Sequence, residues 1–185
     1  MKLTLATVLI VALIVIGYYI YKTEKEKAII ARTVGRTLIV GWIIVLCNLI
    51  SLLTRSDEVC LFAYSMYFVA SDWMLYYLFR FSIEYIGNKF EDHVNRPAMI
   101  LLLIADSVSV LLNNFFGHLF RLKSVEMFGG ENYFELEVTP FFYVHYAIIL
   151  MLVTFCLIAL YYRSFKSPVF YRKKYFTIAI ITTML

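Results

Sequence analysis

The sequence predicts an all-α polytopic membrane protein, a seven-helix bundle of which five full helices and a truncated sixth are present. Three observations lead there. Of 185 residues, 62% are hydrophobic and only 16% charged, with mean hydropathy +0.79, more apolar surface than one soluble core of this size can enclose. The apolar residues come in runs of the length that a bilayer core about 30 Å thick requires, roughly 20 per helix. Lysine and arginine collect in alternate connections between those runs, as retention of positive charge in the cytoplasm demands.

The predicted spans are Leu3–Tyr21, Thr37–Thr54, Val59–Ser82, Ala98–Phe120 and Pro140–Tyr162, and a sixth opens at Tyr175. The first follows Lys2 as a signal peptide would, but the run is long, no small-residue cleavage site follows it, and a basic stretch comes next; it reads as an uncleaved anchor. With the amino terminus outside, 13 of the 17 basic residues fall inside, leaving Lys2, Arg55, Arg121 and Lys123 outside. The sixth run stops at Leu185 after about 11 residues, too few to cross a bilayer. Residues 1–185 are therefore expected to be a transmembrane sensory fragment lacking the seventh helix and a cytoplasmic effector.

Between the fourth and fifth spans lies RLKSVEMFGGENYFELEVTP. Gly129-Gly130 separates two arms, and Phe134 to Val138 alternates apolar with acidic, the period of a half-covered strand. A β-hairpin over the outer end of the bundle is one reading, its Glu126, Glu131, Glu135 and Glu137 making the entrance acidic. A solvated loop with no part in binding is the other.

Of 13 acidic residues, only Asp72 and Asp106 lie well inside spans. An ionised aspartate at a helix centre costs roughly 2.5 to 3.5 kcal/mol by insertion scales, so such groups face the protein interior and have partners. At 1.5 Å per residue, Asp72 is ~20 Å below the outer surface and Asp106 ~13 Å above the inner one, nearly the same level. Asp106, Ser109 and Asn113 share a face of the fourth helix, Ser65, Asp72 and Tyr76 a face of the third, and Asn48 and Ser51 one of the second. These coupling or polar-core candidates are open to three readings: interhelical hydrogen bonds serving assembly, contributing about 0.6 kcal/mol each; a coupling element that rearranges in signalling; or a proton or cation path.

Nearer the outer surface, Tyr64, Tyr67, Asn113, Asn114, His118, Tyr143, His145 and Tyr146 are placed at similar depth. Aromatics mixed with amides and imidazole suit a small-molecule ligand pocket, although tyrosines also belong at membrane interfaces without binding anything.

Signatures of soluble chemistry are missing: the sequence contains no GxxxxGK[ST], GxGxxG, HExxH or GxSxG. Its three histidines do not make a metal set, Cys47, Cys60 and Cys156 have neither paired nor CxxC spacing, and no cofactor is implied. Topology accounts for the basic loops without nucleic acid. An enzyme within these residues is not expected.

The third helix, YSMYFVASDWMLYYLFRFSIEY, the outer NNFFGHLF before an acidic loop, and TPFFYVHYAIILMLVTFCLIALYYRS followed by basic YRKKY resemble the N-terminal seven-helix region of bacterial histidine kinases and GGDEF diguanylate cyclases. The resemblance implies a sensory input module in the cell membrane that passes an extracytoplasmic signal to a C-terminal cytoplasmic effector in the same chain, and it implies a homodimer. It specifies no ligand. Two rivals stand beside it: a transporter or channel component whose aspartates bind a coupling ion, and a structural membrane anchor, which leaves the acids unexplained.

Overall fold

In the computed structural model of the chain, residues 2–26, 29–86, 96–126, 132–166 and 177 are described. They form five helices and one two-stranded sheet in the order α1 (Lys2–Glu24), α2 (Ile29–Leu53), α3 (Asp57–Ile86), α4 (Arg96–Phe116), β1 (Phe120–Glu126), β2 (Asn132–Val138) and α5 (Phe142–Lys166). The first four helices are long and apolar enough to cross a membrane, and α5 carries an apolar stretch over Phe142–Ile158. Apart from residue 177, the sixth predicted span lies outside the described residues.

The architecture follows from where the small and polar side chains fall. Helix α3 is central, packing against α2, α4 and α5, while α1 packs on α2. The side chain of Trp42 on α2 donates its indole N–H to the Leu13 carbonyl of α1 at 3.1 Å. Toward the other end of α1, a Cβ on Gly35 would come 3.2 Å from the Thr23 hydroxyl oxygen, so a hydrogen at that position lets the two backbones approach. Leu3, Ile14 and Phe115 are 82%, 67% and 83% exposed, an apolar exterior that suits acyl chains and not water.

The buried face of α4 reads Leu103, Asp106, Ser107, Val110 and Asn113, a helical stripe containing three polar residues. Three apolar clusters stack along α3. Phe79, Ile83 and Cys156 lie lowest; Tyr76, Leu103 and Leu152 come next; Val110, Leu119 and Phe120 form the uppermost, joined by Phe68 and Phe142.

The ends of the helices have local causes. At the start of α3, the Ser56 hydroxyl accepts the Val59 N–H, and Asp57 and Glu58 occupy the first turn, where acids complement the helix dipole. The fourth span was predicted to run through Phe120, but α4 stops at Phe116. Gly117 turns the chain with φ +57°, a conformation in which a Cβ costs roughly 1–2 kcal/mol, and the next residues enter the sheet. The second helix begins earlier than predicted, at Ile29.

The hairpin is present, antiparallel, with Phe120 opposite Val138 and Glu126 opposite Asn132. Its register sets Arg121 against Glu137 and Lys123 against Glu135, opposite-charge pairs that favour this alignment by a few tenths of a kcal/mol each. Two of the three glutamates in the described hairpin are thus offset by cross-strand partners, while Glu126 stands opposite Asn132; Gly129, Gly130 and Glu131 lie outside the described residues.

Candidate functional site

The two intramembrane acids, expected at nearly the same level, lie next to each other, and a histidine joins them. Donor atoms of Asp72 on α3, Asp106 on α4 and His145 on α5 all lie within 4.8 Å of one another. The Nδ1 of His145 is 2.6 Å from Asp106 Oδ2 and 3.8 Å from Asp72 Oδ2. Asp72 and His145 are 0% and 1% exposed, Asp106 7%. Among the described residues no N–H or hydroxyl group donates to either carboxylate oxygen of Asp72, and Nε2 of His145 has no partner; the Asp72 and Asp106 carboxyl groups are close enough to share a proton. Two like charges about 4 Å apart repel by ~4 kcal/mol even at an effective dielectric of 20, so the pairing of these two carboxylates weighs heavily on the energy of the site.

Helix periodicity explains how three separate helices converge. Phe68, Asp72 and Tyr76 are spaced by four on α3, which stacks an aromatic ring above the acid and another below it. Next to the triad, the Trp73 indole N–H donates to the Ser107 hydroxyl at 3.2 Å, tying α3 to α4 one residue on from each aspartate. Depth was the misleading quantity for His145. The sequence put it with the outer group because each span was taken to begin at one membrane plane. In fact His145 is three residues into α5 while Asp72 is fifteen into α3, or ~4.5 Å against ~22 Å along the axes, so α5 starts much deeper than α3.

Above His145 sits an aromatic cap. The rings of Phe68 and Phe142 lie 5.4 Å from the imidazole, centroid to centroid, and Phe68 is 5.2 Å from both Phe120 and Phe142. Phe120, the first residue of β1, is fully buried. The hairpin therefore roots in the bundle directly over the triad.

That root is fixed by Asn113. Thr139 N–H donates to the Leu119 carbonyl, so the following pair, Phe120 with Val138, is of the non-hydrogen-bonded kind and both backbone polar groups of Phe120 point away from β2. The fully buried Asn113 supplies their partners: Oδ1 accepts the N–H groups of Leu119 and Phe120 at 2.7 and 3.2 Å, and Nδ2 donates to the Phe120 carbonyl at 2.9 Å. Thr139 Oγ1 donates to the carbonyls of His118 and Leu119. His118 Nε2 and Ser109 Oγ are 3.2 Å apart, and Ser65 donates to Asn114 Oδ1 across to α3.

The residues expected to form one outer pocket are dispersed. Tyr64 and Asn48 line a cavity of about 330 Å³ with Lys2, Leu9, Ser51 and Phe134; Asn48 thus stands apart from the Asp72 seam. Asn113 and Asn114 border a second cavity of about 240 Å³ beside Arg121. Tyr67 is half-buried, its ring edge-on to Phe68. Tyr143 and Tyr146 are 66% and 50% exposed on the outside of α5. Tyr76 is buried against Trp73. Missed from sequence were Phe68, Phe120 and Phe142, whose apolar surroundings gave them no distinguishing signal.

At the end of the bundle away from the hairpin, the Thr33 hydroxyl donates to Glu84 Oε2 at 2.6 Å and Arg80 pairs with Glu84 Oε1 at 2.8 Å, linking α2 to α3.

Residues 3–185 match a protein family described as the N-terminal 7TM region of histidine kinase. No curated protein and no solved structure matches the chain. The cyclase half of the resemblance, with its cyclic di-GMP output, has no counterpart in these comparisons.

Proposed function

Because the chain belongs to the family of N-terminal 7TM regions of histidine kinases, and so to a multi-pass membrane protein, we infer that it is the sensory input of a longer protein whose kinase effector follows in the same chain. A small-molecule or membrane-borne signal reaches the outer end, where the cavity bearing Tyr64 and Asn48 combines apolar walls with a few polar groups. The amino terminus is outside, and the protein acts as a homodimer.

What supports this role is a continuous path from hairpin to buried polar centre: Asn113 to Phe120, Phe120 to Phe68 and Phe142, and those rings to His145. The imidazole Nδ1 has two acceptors on two helices, one engaged at 2.6 Å and one waiting at 3.8 Å. A signal shifts a conformational equilibrium only by binding its two states unequally. Here the states differ in which carboxylate holds His145.

The test is basal and stimulated autophosphorylation of the complete protein in membrane vesicles. Asp106→Asn and Asp72→Asn each weaken one of two competing acceptors, so they shift basal output in opposite directions, each on the order of 5-fold or more. Wild-type output from both variants and from His145→Gln, all folded, would show that the triad serves assembly alone.

A further inference from the structure

Two carboxylates and one imidazole are buried together; Asp72 is 0% exposed, and among the described residues its carboxyl meets no N–H or hydroxyl donor, only the neighbouring Asp106 carboxyl. Holding two carboxylates side by side in a water-poor interior is costly unless a proton or a cation lies between them. No lysine or arginine contacts the triad among the described residues; Arg80, two turns further along α3, is engaged by Glu84. The donors come from three different helices, so whatever binds them all fixes α3, α4 and α5 relative to one another.

We propose that Asp72, Asp106 and His145 bind a divalent transition-metal cation of the Zn²⁺ or Mn²⁺ class. A dication cancels two carboxylates and leaves the imidazole neutral, so the site loses its net charge. Around a tetrahedral ion at ~2.0–2.2 Å the ligands lie ~3.3–3.6 Å apart; the donor atoms here, 2.6 and 3.8 Å from Nδ1 and all within 4.8 Å of one another, reach that spacing by side-chain shifts of up to about 1 Å. The donor types select the metal. Ca²⁺ and Mg²⁺ favour oxygen ligands throughout, and Ca²⁺ takes six or more, whereas an imidazole nitrogen suits zinc and its neighbours.

Three protein ligands leave a fourth position open to water or another small ligand. Coordination by Nδ1 replaces its hydrogen bond to Asp106; the imidazole stays neutral with its ring proton on Nε2, and any further proton shared among Nδ1 and the two carboxylates is released as the ion enters. Metal uptake consequently releases protons. The effect on signalling rests on the triad being the coupling element; binding itself does not.

The experiment uses the complete protein in nanodiscs, purified with a histidine-free tag and titrated with Co²⁺ as a spectroscopic stand-in. Expected is saturable one-to-one binding with visible d–d absorption, displaced by Zn²⁺ but not by Ca²⁺ or Mg²⁺. Asp72→Asn and His145→Gln weaken it about 100-fold or more, beyond what loss of a mere supporting group does; Tyr146→Phe, on the exposed side of α5, leaves it unchanged. Should the site variants not fold, X-ray absorption of the wild-type Co²⁺ complex decides, by one imidazole nitrogen and carboxylate oxygens at ~2.0–2.2 Å. A wild type that binds no Co²⁺, binds it without imidazole, or is stabilised by acid alone overturns the proposal, as does undiminished binding by both variants. Metal binding that persists while autophosphorylation ignores every triad substitution would overturn the signalling role and leave the metal site intact.

Discussion

Replacing Asn113 by leucine keeps the volume of a fully buried side chain and removes every hydrogen bond it makes to the hairpin root. Three backbone groups lose their partner: the N–H of Leu119 and the N–H and carbonyl of Phe120. Orphaning a buried backbone group costs ~1–3 kcal/mol; taking the lower end for each gives about 3 kcal/mol. That cost falls on local opening of the root, because the groups affected are confined to two consecutive residues, Leu119 and Phe120. At 1.36 kcal/mol per decade, the exchange of the Leu119 and Phe120 amide hydrogens accelerates roughly 150-fold. The neighbouring Asn114→Leu is the internal standard. It loses a single interhelical contact with Ser65, about 0.6 kcal/mol in a membrane, or less than threefold. Hydrogen exchange followed by mass spectrometry on peptides covering residues 117–122 measures both. Equal protection in Asn113→Leu and Asn114→Leu would refute the assignment of Asn113 as the anchor.

Further outcomes follow from the same geometry. Phe120→Ala empties a fully buried ring site above His145 and lowers stability by ~3–5 kcal/mol in equilibrium unfolding. Gly117→Ala costs roughly 1–2 kcal/mol through its positive φ, not through crowding, since the added Cβ would be 3.6 Å from the nearest atom of Arg121; Gly117→Asn, which tolerates that conformation better, therefore costs less by the same measurement. Cys60 and Cys156, each 1% exposed, resist N-ethylmaleimide in native membranes and react fully in SDS, as mass spectrometry of the labelled protein records.

The sequence conveyed the helices well because their cause is local: an apolar run of about 20 residues has few alternatives in a bilayer. It conveyed the hairpin for a similar reason, since Phe134 and Leu136 are half-buried while Glu135 and Glu137 face outward, and that alternation is written in the residues. Asp72 and Asp106 were legible through their expense. His145 was placed correctly along the chain and wrongly in space, because its level depends on where α5 begins, and that depends on Pro140 and on the Thr139 contacts to Leu119, which are tertiary. The same holds for the end of α4. Nothing in NNFFGHLF says that Asn113 reaches forward to capture Phe120, so the apolar run reads as four more residues of helix. The scattered outer tyrosines teach the converse: residues at one depth can occupy different sides of a bundle, and depth alone says nothing about azimuth.

How a disturbance at the hairpin reaches the triad depends on which contacts yield. Ser109, Asn113, His118, Leu119, Phe120 and Thr139 form a knot of directional hydrogen bonds, and Ser65 ties it to α3 through Asn114. Such bonds weaken steeply when misaligned, so α4 and the hairpin root move as one piece. Phe142 meets that piece through ring contacts with Phe68 and Phe120, worth ~0.5–1.5 kcal/mol each and tolerant of several tilts. Sliding is therefore easiest along the plane of these rings, and His145 lies immediately beneath it. For Nδ1 to move from 3.8 Å to hydrogen-bonding distance of Asp72 takes about 1 Å, the low end of the helix shifts of about 1–2 Å by which packed interfaces switch. A displacement of the hairpin root too small to disturb the apolar clusters below is thus large enough to change the partner of the one imidazole that three helices share.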